Sequence, residues 1–110
     1  MAKPKLTPDI KAQADAIVAR FNGEQLKDQP WAHYVTNYRG AYLHLGHQRG
    51  RKFRPICRLT YTGDMNNWEF AIYKYSDEHY DPTEWFFDGA GEVDGTIEGA
   101  MRAGLQAYPS

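Results

Sequence analysis

One cysteine, Cys57, stands alone among 110 residues, so no internal disulfide forms and stability has to come from packing. Long apolar runs are missing as well, and no uncharged stretch approaches the ~20 residues that cross a bilayer. The start, Met1-Ala2-Lys3-Pro4-Lys5, is basic, but Asp9, Lys11 and Asp15 follow at once and interrupt any apolar core of a signal peptide. A cytoplasmic address with no membrane partner is the expectation. Phosphate-cradling glycine loops, nucleophile elbows and dinucleotide fingerprints are absent too. Gly89-Ala90-Gly91 lies in an acidic segment, which repels phosphate. No internal repeat or low-complexity segment occurs.

What the chain does contain is large side chains to bury. Hydrophobic residues make up 42%, aromatics 15% and charged residues 25%, the balance of a globular protein. At this length folding buries roughly two-thirds of the extended chain's surface, so residues 1–110 are read as a single domain.

The net charge of −1 conceals a segregation. Residues 31–60 carry six Lys or Arg and no acid, whereas residues 61–100 carry ten Asp or Glu and only Lys74 against them. Two explanations compete. Either the segments become neighbours in one sheet and neutralise each other, or a one-sided basic surface is kept for a polyanion.

Thr7-Pro8-Asp9 has the parts of a helix start: a hydroxyl cap, a proline whose missing N–H costs nothing there, and an acid near the positive dipole end. Ile10, Ala14, Ile17, Val18 and Phe21 then form one apolar stripe, with Gly23 as the expected left-handed stop. A second stripe, Ile97, Ala100, Met101, Gly104, Leu105 and Tyr108, predicts a C-terminal helix ended by Pro109. Gly104 lies on the buried stripe and predicts a close approach of that helix to a sheet.

Between the helices the period is two, and strands are expected over 34–38, 41–45, 53–61 and 68–75. With a turn over 62–67, Tyr61 faces Trp68, Leu59 faces Phe70 and Cys57 faces Ile72, so the apolar members share one face. Pro55 predicts an edge position or a bulge. Residues 46–52 read as a polar basic hairpin loop, Ser76-Asp77-Glu78-His79 as a solvated turn, and Asp81-Pro82-Thr83-Glu84 as a capping box opening one helical turn. The fold class is therefore α+β: an antiparallel meander of four strands, with room for a fifth, and N- and C-terminal helices packed on one face. The opposite face would show Tyr42, His44, Ile56, Arg58, Thr60, Tyr73 and Tyr75.

Residues 44–54 concentrate Arg49, Arg51, Lys52 and Arg54 with two histidines. Arginines fork onto phosphate oxygens, and tyrosines on an open sheet face can stack bases. Arg49, Arg51, Lys52, Arg54, Arg58 and Tyr42 are thus the candidate site for nucleic acid or another polyanion. The plainer reading is a solvated loop whose charge protects a sheet edge. Trp85, Phe86 and Phe87 are the candidate partner surface, for another protein or a second copy, against the plainer reading of satellite core. His44 and His47 are three apart on a strand and point to opposite faces, so no metal ligand pair is expected. Cys57 falls on the core face and reads as a small hydrophobe. No catalytic residue, metal or cofactor is expected.

Ile56-Cys57-Arg58-Leu59-Thr60-Tyr61, Trp68-Glu69-Phe70-Ala71-Ile72-Tyr73-Lys74-Tyr75, Asp81-Pro82-Thr83-Glu84-Trp85-Phe86-Phe87 and Asp94-Gly95-Thr96-Ile97-Glu98-Gly99-Ala100-Met101 lie within residues 55–108, a stretch that resembles small uncharacterised bacterial proteins. That resemblance implies a compact stand-alone domain and assigns no residue a role. The expected function is a non-enzymatic binding module holding a polyanion such as nucleic acid on a basic hairpin. The alternative is an interaction domain or homodimer that buries its open sheet face.

Overall fold

The computed structural model describes residues 4–109. Helix α1 (Pro8–Glu24) is followed by strands β1 (Val35–Arg39), β2 (Tyr42–Arg49), β3 (Lys52–Thr60), β4 (Glu69–Lys74) and β5 (His79–Asp81), then helix α2 (Ile97–Ala107). The strands form one antiparallel sheet in the order β1-β2-β3-β4-β5. Both helices share one core with the sheet, in which Ala14, Val18 and Phe21 meet Leu43, Leu45, Leu59, Ile97 and Met101. The expected α+β architecture is present, with the fifth strand.

Local chemistry sets the elements. Thr7 caps α1, its hydroxyl accepting from the Ile10 amide at 3.2 Å, with Pro8 in the first turn. Gly23 does not stop it: its φ is not in the left-handed region, and α1 runs on to Glu24, where the Gln25 amide donates to the Phe21 carbonyl. Thr96 caps α2 by accepting from the Gly99 amide at 3.0 Å. The pairs Cys57↔Ile72 and Leu59↔Phe70 stand as read from the sequence, and the Tyr61 and Trp68 rings lie 5.0 Å apart.

Three local expectations change. The segment 46–52 is strand up to a two-residue turn, because Arg49 pairs with Lys52. Gly50 has φ +62 while Arg51 stays at negative φ, the pattern of a type II′ turn, whose twist matches that of the strands. Asp81 opens no helical turn. It ends β5, and its carboxylate accepts from both the amide (2.9 Å) and the hydroxyl (2.7 Å) of Thr83; Pro82 follows with no N–H to extend the ladder. Ile56 is not on the open face. The β2–β3 register shifts between Leu45, opposite Cys57, and Gly46, opposite Pro55, so Ile56 is the extra residue of a bulge. It turns inward beside Cys57, and both are fully buried. Pro55 thus marks a bulge in a central strand, not an edge.

Tyr34, just before β1, ties both helices to the sheet. Its backbone exchanges two 2.9 Å hydrogen bonds with the Asn22 side chain, and its buried hydroxyl donates to the Met101 carbonyl at 2.8 Å. Gly104 lies against the same group. A Cβ there would meet the Tyr34 hydroxyl and stand 2.6 Å from Ile56 Cγ2. Gly104→Ala is therefore expected to lose about 1–3 kcal/mol of stability through overpacking, despite alanine's better helix propensity. At Gly23 nothing lies within 4 Å of an added Cβ, so Gly23→Ala is expected to gain up to about 1 kcal/mol. Urea midpoints of the two variants should move in opposite directions from the parent.

Candidate functional site

Both helices cover one sheet face, and among the described residues no helix or strand lies on the other. Two hairpins position its residues. Gly40 (φ +56) and Gly50 (φ +62) each open a two-residue turn, which fixes the register so that Tyr42 faces Thr60 and His44 faces Arg58. Alternation then sets Tyr42, His44, Arg58, Ala71, Tyr73 and Tyr80 on the open face.

Arg58 is the centre of this group. Its Cζ lies 4.5 Å from the Tyr42 ring centroid and 5.5 Å from that of Tyr80, so two π faces hold the guanidinium. The His44 ring sits 4.9 Å from Tyr80 and 6.2 Å from Tyr42. Tyr73 packs edge-on against Tyr80 at 5.0 Å, and at the end of β4 it meets Tyr75 at 4.8 Å, which leaves the open face to pack on Tyr108 at the end of α2 at 5.4 Å. His44 Nε2 and Arg58 Nε are buried without a protein hydrogen-bond partner. A depression of about 740 Å³ runs from Tyr42, Arg58 and Thr60 across the edge of β4 to Pro82 and Trp85.

Charge on this face is fixed and of one sign at its centre. Burial, and then the Arg58 and Arg39 charges, hold the His44 imidazole below its ordinary pKa, so it is neutral at pH 7. Burial pushes the Tyr80 hydroxyl up to about 12, which keeps it protonated. Glu69, opposite Thr60, is a carboxylate of this face, yet it forms no ion pair with Arg58.

The acids go elsewhere. Lys74 collects Asp77 (3.6 Å), Asp81 (3.9 Å) and Glu84 (3.4 Å), and Arg102 collects Glu92 (3.5 Å) and Asp94 (3.6 Å). Among the described residues no ion pair reaches Arg39, Arg49, Arg51, Lys52, Arg54 or Arg58. The basic and acidic segments become neighbours in one sheet without pairing.

No family model matches the chain, and no curated protein or solved structure matches it either. What the arrangement can do has to be read from its own geometry.

The six residues singled out from the sequence divide into two groups. Arg58 and Tyr42 meet on the open face. Arg54 is opposite the buried His47, so it takes the helix-covered side of the sheet, beyond the helices, with its guanidinium 5.5 Å from the Tyr75 ring. Arg49 and Lys52 follow Arg54 by register, and Arg51 occupies the turn; all four are exposed. The aromatic triplet divides as well. Phe87 stacks on Phe70 at 5.8 Å and Trp85 lies 5.9 Å from it, whereas Phe86 is 99% exposed. Tyr80 and Arg39 join the face unannounced. Tyr80 sits in a strand of three residues, too short for alternation to stand out.

His47 is the other perturbed histidine. It is buried, 5.1 Å from the Tyr34 ring, with Nδ1 3.1 Å from the His33 carbonyl, and burial depresses its pKa. For both His44 and His47 the folded pKa lies below the unfolded value of 6.5. The unfolded chain therefore takes up protons first as pH falls through about 6.5, and stability is lost from there down to the folded pKa values. Urea unfolding is expected to show a lower midpoint at pH 5.5 than at pH 7.5, with a smaller difference in His44→Gln.

Proposed function

We propose that this protein is a non-enzymatic module that contacts a polyanion through Arg58, with Tyr42 holding its guanidinium, and through the β2–β3 hairpin residues Arg49, Arg51, Lys52 and Arg54. The observation that carries this reading is the absence of carboxylate partners for these cations among the described residues, although ten acids follow within residues 61–100. Exposed arginines near acids ordinarily pair or are screened; a set left unpaired keeps its charge available to phosphate. Arg58 between two tyrosine rings loses little rotamer freedom on binding, which favours a fixed fork over a flexible ammonium. A cytoplasmic address, where a lone Cys57 stays reduced, accords with this reading.

Anisotropy of a labelled single-stranded oligonucleotide, titrated from low salt upward, tests it. Phosphate contacts at the four hairpin cations predict a log–log slope of roughly −3. Arg49→Glu with Arg51→Glu removes two of them and is expected to bring the slope to roughly −1.5, with affinity falling more than tenfold at low salt. No binding at low salt, or binding indifferent to salt, sinks the proposal.

A second reading, a protein partner or homodimer, is favoured by one observation: Phe86 is 99% exposed beside the half-exposed Trp85, the form of an interface anchor. If it holds, sedimentation equilibrium is expected to show a dimer that Phe86→Ser converts to monomer. A monomer at every concentration tested removes the homodimer.

A further inference from the structure

The open face carries rings as well as charge, and the rings discriminate among polyanions. Tyr42, His44, Tyr73 and Tyr80 lie within 4.9–6.2 Å of an aromatic neighbour on the side of the sheet that no helix covers. Tyr42 keeps 38% of its surface exposed at the rim of the depression that Arg58 and Thr60 line. A polyphosphate or a sulfated sugar has no flat π surface to place there. A duplex has flat surfaces, but its bases cover them on each other.

From this we infer that the preferred ligand is a single-stranded nucleic acid, with one base laid against the Tyr42 and Arg58 pair and the flanking phosphates reaching Arg58 and Arg39, which share that face. The inference rests on the polyanion reading and narrows it. Tyrosine and guanidinium planes both accept a base by stacking, irrespective of which base it is. The half-buried His44, Tyr73 and Tyr80 behind Tyr42 fix the platform. Little discrimination among base sequences follows, because stacking uses a π face that every base presents.

The test compares three probes at low ionic strength: a labelled single-stranded 12-mer, the same sequence as a duplex, and inorganic polyphosphate. The single strand is expected to bind at least tenfold tighter than either of the others. Tyr42→Ala is expected to weaken the single strand about five- to a hundredfold, the loss of roughly one stacked base, and polyphosphate less than threefold. Tyr42→Phe, which keeps the ring, should retain single-strand affinity within about threefold. Circular dichroism of each variant confirms the fold, and Tyr42 is exposed enough to be replaced without opening the core. Equal losses on single strand and polyphosphate, or a duplex that binds as tightly as the single strand, overturn the stacking inference and leave the polyanion reading standing. If none of the three probes binds, both fall.

Discussion

Ile56 adds one residue to β3 between Cys57, which faces Leu45, and Pro55, which faces Gly46. In an unbroken strand, alternation would align Arg54, Ile56 and Arg58 on one face. The bulge turns Ile56 inward, where its full burial contributes about 1.5–3 kcal/mol and fills the space that Gly104 leaves on α2. It also changes the parity beyond it. Arg58 stays on the open face among tyrosines, while Arg54, opposite His47, takes the other side. Pro55 is suited to this place because it has no N–H to donate, so its amide position asks nothing of the irregular ladder.

That displacement would be of little consequence if the sheet were covered on both sides. It is not, because the helices are held to one face by specific contacts. Tyr34 joins α1 through Asn22 and α2 through Met101, and Asp15 of α1 accepts from the hydroxyls of Thr36 (2.9 Å) and Tyr38 (2.6 Å) on β1. Burial, and then this short carboxylate contact, raises the Tyr38 pKa well above its usual value, so the hydroxyl remains a donor. With both helices committed, the aromatic groups of the open face pack, among the described residues, on each other and on Arg58. The layer of rings and guanidinium follows from that mutual packing.

Much of this was legible in the sequence where one period or one residue type governs. The caps at Thr7, the two apolar stripes and the face shared by Cys57, Leu59, Phe70 and Ile72 follow from spacing alone. Gly104 was readable because a glycine on a buried helical stripe needs a close neighbour to offset its entropy. What was not legible depends on long-range context. Gly23 resembles a helix stop, yet the Phe21 carbonyl finds the Gln25 amide and the helix goes on. Residues 46–52 have the composition of a loop and the structure of paired strands, since a two-residue turn needs only Gly50. The direction of Ile56 is fixed by a register shift that no local pattern announces. Of the candidate site, Arg58 and Tyr42 were identified together on one face, whereas their separation from Arg54 lies downstream of that same shift.

The distribution of charge has a physical cause of the same kind. Acids and bases that are adjacent in a sheet pair only if their side chains share a face and a register, and across β3 and β4 the partners of Arg58 and Thr60 are Ala71 and Glu69. Arg58 thus meets a methyl group where an acid would neutralise it, and Glu69 is two register positions away. Lys74, in turn, sits where β4 meets β5, so Asp77, Asp81 and Glu84 of the following loops converge on it. Arg102 does the same for Glu92 and Asp94 ahead of α2. These exposed pairs add little stability individually. Their larger effect is to hold five carboxylates near Lys74 and Arg102, so that at the hairpin and over Arg58 the basic side chains set the local potential despite a net charge of −1.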